Sequence, residues 1–148
     1  MLKKLLSTDQ ARVTILIRIM VSIVFLSEGI QKFLFPDIRG VGRFEKIGLP
    51  EPEFLGFFVG GFEVLCGALI LLGLLTRLAA IPTLTIMLVA IATTKLPMLS
   101  DEGFWYMMHA SRTDFSMLIG SIYLIIKGGG AWSLDNMLFG LRLRSSYK

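Results

Sequence analysis

Apolar residues fall in four long blocks separated by short polar breaks, and each block ends on a signal that stops a helix. The first covers residues 13–35 and meets Pro36. The second covers 54–75 and closes at the Thr76-Arg77 turn. The third covers 78–96, ahead of Pro97, with Pro82 in its first turns, where a missing backbone donor is tolerated. The purely apolar part of the fourth, residues 115–126, is too short to cross, because a bilayer needs roughly 20 residues of helix. Lys127 and the glycines at 128–130 stop it at its far end. A full span must therefore run over 107–126, with Trp105 and Tyr106 as an interfacial anchor at its start. A shorter re-entrant segment is the alternative. The pattern predicts an all-α integral membrane protein, a bundle of four transmembrane helices forming one domain over residues 1–148. Near its end, residues 133–144 open on the N-cap residue Ser133 and read as a short amphipathic segment lying on the membrane surface.

Composition moves the chain further from soluble domains. Hydrophobic residues make up 54% and charged residues 18%, against about a half and a quarter in ordinary globular proteins. Mean hydropathy is +0.72. The formal charge of +4 does not point to nucleic acid, because the basic residues are scattered and form no basic-aromatic face. A single cysteine, Cys66, excludes a disulfide within one chain, and with one histidine it excludes a Cys/His zinc site or an iron–sulfur cluster built from this chain alone. The basic start, MLKKLLSTDQAR, lacks a separate apolar core and cleavage site, so no removable signal is expected there.

Four spans place both termini on one side. Lys3, Lys4, Arg12, Arg77, Lys127, Arg142, Arg144 and Lys148 flank that side. The opposite loops dilute Arg39, Arg43, Lys46 and Lys95 with six acids. Lysine and arginine favour the cytoplasm. The expected location is a bacterial inner membrane, with both termini cytoplasmic.

Depth then singles out candidate chemistry. Ionisable groups within a membrane are costly and are functional candidates by default. At 1.5 Å per residue, Glu28 lies about 10 Å inside the outer end of the first span, with Lys32 one turn above it at an ion-pair spacing. Glu63 lies roughly 13 Å inside the second span and Asp114 roughly 10 Å inside the fourth, with His109 and Arg112 above it. Glu28, Lys32, Glu63, His109, Arg112 and Asp114 can thus share one layer in the outer half of the bilayer. Glu63, His109 and Asp114 are the candidate catalytic groups, and Glu28, Lys32 and Arg112 the candidate ligand-binding groups. Arg18 lies nearer the opposite side and is expected to snorkel there. Gly56, Gly60 and Gly67 share a face of the second span with Glu63, and small residues let membrane helices pack closely. The same charges also suit structural ion pairs that hold helices in register. Cys66 reads as small apolar filler, and the eight methionines as gap-fillers.

Three stretches in order, SEGIQKF, GFEVLCGALILLGLLTRLAAIP and GGGAWSLD, resemble the DoxX family over about residues 18–135. The resemblance implies a four-helix bacterial inner-membrane protein. It also implies association with membrane oxidoreductases, since the related DoxD proteins are linked to thiosulfate:quinone oxidoreductase. The matching polar positions are Lys32, Glu63, Arg77 and Asp135. His109, Arg112 and Asp114 fall in an HxxRxD-like stretch where many relatives place an acid after the histidine and this chain has Ala110.

Three functions follow as expectations. One is the membrane subunit of a quinone-linked oxidoreductase acting on a sulfur compound or thiol, with a quinone as cofactor, His109 and Arg112 as donors and the acids as proton relays. Another is a non-catalytic accessory subunit of a larger membrane redox or respiratory complex. The third, a small-molecule carrier, is disfavoured by the lack of an internal repeat of the alternating-access kind. The partners implied are the lipid bilayer, a quinone and subunits of a redox complex, and no metal site is expected.

Overall fold

The computed structural model describes residues 8–140, and the regular structure among them is helical. Helix α1 spans Thr14–Leu34, and two short helices follow, α2 at Pro36–Arg39 and α3 at Val41–Lys46. Helix α4 spans Pro52–Leu72 and α5 spans Thr76–Ala90. A π-helical turn, Ile91–Lys95, joins α5 to α6 at Leu96–Glu102. Helices α7, Phe104–Ala110, and α8, Arg112–Lys127, come next, and a second π-helical turn lies at Asn136–Gly140.

Three stretches are long and apolar enough to cross a membrane: Thr14–Leu34, Pro52–Leu72 and Thr76–Glu102. The first two match the expected spans within a few residues. The third runs through Pro97 instead of stopping before it. Proline lacks an N–H and its ring crowds the carbonyl four residues back. Here the Leu96 N–H donates to the Ile91 carbonyl, five residues back, so the helix loosens ahead of the proline. The Thr93 and Thr94 hydroxyls donate to the Val89 and Ala90 carbonyls at 2.8 and 2.6 Å, satisfying acceptors that the looser turn leaves behind.

The fourth segment departs from the expected continuous span over 107–126. It is broken at Ser111 into α7 and α8. Side chains take the His109 and Ala110 carbonyls that an unbroken helix would use, while Met107 O keeps its backbone bond from the Ser111 N–H at 2.9 Å and also accepts from a side chain. The Ser111 hydroxyl donates to Met107 O at 2.6 Å, Arg112 to His109 O at 2.7 Å and Lys95 to Ala110 O at 3.1 Å. Such local bonds compete with the helical ladder and bend it. The 16 residues of α8 rise about 24 Å, short of a hydrocarbon core of about 30 Å.

Helix α1 packs most extensively on α4, and α8 on α5, with α4 against α5 and α8 also touching α1. The buried apolar centre comprises Val21, Phe25, Cys66, Ile70, Ala79, Ala80, Met117 and Leu124. Glycines set the α1–α4 distance. A side-chain carbon at Gly29 would lie 2.8 Å from the Gly60 carbonyl oxygen and 2.9 Å from Glu63 Cβ. The glycine stripe therefore does what its spacing suggested.

One end of the bundle is tied by two ionic groups. Arg18 is 3% exposed. It donates to the Ile70 and Leu71 carbonyls at the end of α4 and to the Gly129 and Trp132 carbonyls in the loop after α8, at 2.9, 2.5, 3.2 and 2.5 Å. It does not snorkel. The neighbouring Asp135 accepts from the backbone N–H groups of Leu75 and Thr76 and from the Thr76 hydroxyl at 2.7, 2.9 and 2.8 Å, capping the start of α5. At the same end, Asp9 pairs with Lys127 at 2.9 Å. Hydrogen bonds from the Lys127 ammonium and the Ala11 N–H hold the Asp9 carboxyl below its ordinary range. The start of α1, the end of α4, the start of α5 and the end of α8 thus meet at one end, so the four segments run alternately up and down. Ser133 accepts from the Asn136 N–H at 3.1 Å, as an N-cap should, whereas residues 141–144 of the expected surface segment lie outside the described residues, as do Lys3, Lys4 and Lys148.

Candidate functional site

The opposite end of the α1–α4 pair carries the candidate site. Lys32, in the last turn of α1, and Glu63, midway along α4, form an ion pair with Nζ 2.6 Å from Oε2. Their side chains are 8% and 3% exposed. The pair exists because the glycines bring the two helices into contact. A side-chain carbon at Gly60 would lie 3.2 Å from Lys32 Cβ, so a larger residue there would push the lysine stem away.

Helices α2 and α3 fold over this end. A carbon added at Gly40 would lie 2.8 Å from the Lys32 carbonyl oxygen, and one at Gly56 would meet Val41 N at 3.0 Å. Phe44 of α3 is buried. The fold-over brings in a group that sequence depth alone missed. Arg43 of α3 and Glu28 of α1 are near enough for their charges to act on Glu63. Both are half-buried and make no side-chain hydrogen bond or ion pair among the described residues. The available signal for Arg43 was its place in the long outer loop joining the two glycine-packed spans.

The pair leaves hydrogen-bonding capacity unused. An ammonium group has three donors and a carboxylate two acceptor oxygens. Among the described residues, Lys32 makes one bond and Glu63 Oε1 takes none. Among the described residues no fully buried side-chain N or O lacks a partner, so the unbonded Oε1 is not sealed off. A group that accepts from Lys32 while donating to Glu63 fits this arrangement.

The other predicted residues stand apart. Asp114, in the first turn of α8, pairs with Lys95 of the π-helical turn at 3.2 Å. His109 and Arg112 are exposed at the break between α7 and α8. The expected single layer is therefore two groups, Lys32–Glu63 with Glu28 and Arg43, and Lys95–Asp114 with Arg112 and His109 beside it. No hydrogen bond or ion pair among the described residues joins them. Lys95 was visible in the sequence at the outer end of the third span, and its depth matches that of Asp114. Glu28 is not paired with Lys32 as the helical spacing suggested, because Glu63 has taken the lysine.

The sequence is similar to those of known membrane and redox-named proteins. An uncharacterized membrane protein of Mycobacterium tuberculosis is 52% identical over 141 residues, covering 91% of this chain and 86% of that protein. The Bacillus subtilis protein named "Putative oxidoreductase CatD" is 30% identical over 129 residues, covering 85% of this chain and 87% of its own. No solved structure matches the chain. The DoxX family model matches residues 13–96, the stretch that holds α1 to α5, both members of the Lys32–Glu63 pair and the glycines that bring them together. The chain is a membrane protein of the DoxX family.

Proposed function

We propose that this chain is the membrane subunit of a quinone-linked oxidoreductase in a bacterial inner membrane, with the quinone headgroup received at Lys32 and Glu63. The observation that carries this reading is the buried pair itself. It lies between two apolar helices, with ammonium donors and one carboxylate oxygen still available. That donor set suits a headgroup whose carbonyl accepts a hydrogen bond and whose reduced hydroxyl donates one. A bound quinone would supply the acceptor of two electrons and two protons. The chain's own residues would orient it, with Lys32 toward the carbonyl and Glu63 exchanging a proton with the hydroxyl. Electrons would come from a sulfur compound or thiol, or from a partner subunit. The name of the Bacillus subtilis relative supports an oxidoreductase setting.

The test is mass spectrometry of small molecules that co-purify with the protein in mild detergent, against a mock membrane extract and the Glu63→Gln variant. Enrichment of quinone with the native protein, lost in the variant, is expected. Equal quinone in all three samples would remove this reading.

A second reading, an accessory subunit without chemistry, is favoured by the 2.6 Å closure of the pair across the most extensive helix contact. Under it the ion pair is glue, and Glu63→Gln lowers stability while leaving partner complexes and their activity intact.

A further inference from the structure

Glu28 is the unexplained group in α1. It lies inside the apolar span Thr14–Leu34, half-buried, with no hydrogen bond or ion pair among the described residues. A carboxylate at such depth without a partner is costly. Its position is one helical turn before Lys32, and Glu at i with Lys at i+4 is the favoured order for a pair on one helix face. The lysine instead reaches across to Glu63 on α4. One cation thus has a bonded carboxylate on α4 and a second carboxylate one helical turn away on its own helix. Arg43 of α3 is the remaining charge that acts on Glu63, and it approaches from the covering loop without taking either carboxylate.

We propose that Lys32 alternates between Glu63 and Glu28, and that proton transfer to Glu63 drives the exchange. In the first state Lys32 pairs with Glu63, as observed, and Glu28 waits. When a proton-donating ligand delivers a proton to Glu63, the O–H bond of the ligand breaks and a carboxylic acid forms. Lys32 then loses its ionic partner on α4 and turns to Glu28, one helical turn away on α1. Loss of the proton from Glu63 restores the first state. The ligand would be a hydroxyl-bearing molecule of the membrane phase, so this inference rests on the proposed reading of the Lys32–Glu63 pair as a ligand site. Gly29, the neighbour of Glu28, sits against Gly60 and Glu63 Cβ, which keeps α1 and α4 close at this level.

The exchange makes a prediction that needs no ligand. The full-length protein is compared with Glu28→Gln, Glu63→Gln and the double variant by thermal unfolding in the same detergent. Glu28→Gln alone should change little, because Lys32 keeps Glu63. Glu63→Gln alone should be tolerated, because Lys32 turns to Glu28. The double variant strands the lysine, so its melting temperature should fall below the sum of the single losses by roughly 2–4 °C or more. In a Lys32→Met background this excess should vanish. Additive losses would overturn the proposal, as would a Glu63→Gln protein that fails to fold or an excess that survives without Lys32. Because no quinone enters these measurements, an excess in this cycle together with a blank co-purification would remove the quinone reading and leave the exchange standing.

Discussion

The two ends of the α1–α4 pair use buried cations in opposite ways. At one end, Arg18 directs its donors at four carbonyls from a helix terminus and a loop, and its neighbour Asp135 takes three donors. At the other end, Lys32 makes one bond, and Glu63 accepts one. Both regions are buried, and both draw on α1 and α4. The difference lies in what remains available. A group whose hydrogen bonds all go to its own backbone is committed to the fold, whereas a pair with donors and an acceptor oxygen left over can serve something else. Burial of a charge in a membrane protein does not by itself separate structure from function, but the partner list does.

The comparison can be broken most forcefully at Arg18. Arg18→Met removes bonds from a charged group worth about 1.5–3 kcal/mol each, which do not add fully. The expected loss exceeds about 3 kcal/mol, seen as a large fall in melting temperature or failure to recover monodisperse protein. Asp135→Ala should cost less, about 1–2 kcal/mol, because it uncaps one helix start. Gly29→Val tests the other end. The added carbons meet the Gly60 carbonyl and Glu63 Cβ, and the overpacking should cost about 1–3 kcal/mol while separating Lys32 from Glu63. Replacing both charges, Lys32→Met with Glu63→Leu, should change stability far less. Well-packed apolar residues often replace a buried ion pair at no net cost. Thermal unfolding reads the first quantity and retained quinone the second. A stable double variant that still carries quinone would return the pair to a structural role.

The smallest effect is expected at the exposed Asp9–Lys127 pair. Asp9 titrates below its ordinary value because the Lys127 ammonium and the Ala11 N–H bond its carboxylate. A depressed folded-state value contributes stability above the unfolded value, about 3.9, and that contribution is lost as pH falls through the lower folded value. Melting temperature should therefore decline slightly on acidification over that window, and Lys127→Met should flatten this part of the profile. Surface pairs of this kind are worth little.

The three spans were legible because their apolar blocks are long and bounded by Pro36, the Thr76-Arg77 turn and Pro97. Their ends were less so where side chains intervened. Pro97 signals a stop, and nothing in the pattern announces that a π-helical turn and two threonine hydroxyls will carry the helix past it. The fourth segment looked continuous because apolar periodicity does not register Ser111, Lys95 and Arg112 claiming carbonyls. At the candidate site, Lys32 and Glu63 were found by depth and by the glycine stripe. Depth gave only one coordinate, however. It grouped Glu63 with Asp114, which lies on α8 and faces Lys95, and it overlooked Arg43, which reaches the site through the folding of a loop.

The Arg18 contacts also govern the order in which the protein can be completed. Its carbonyl acceptors belong to Ile70, Leu71, Gly129 and Trp132. A ribosome that has delivered α1 to the bilayer has left a guanidinium there whose partners lie 52 and 53, and then 111 and 114, residues further along the chain. The bundle can close only when the segment after α8 arrives. Until then, the first helix carries a polar mark of incompleteness. A chain cut short before Gly129 would keep that mark permanently, giving membrane quality control a chemical reason to remove it.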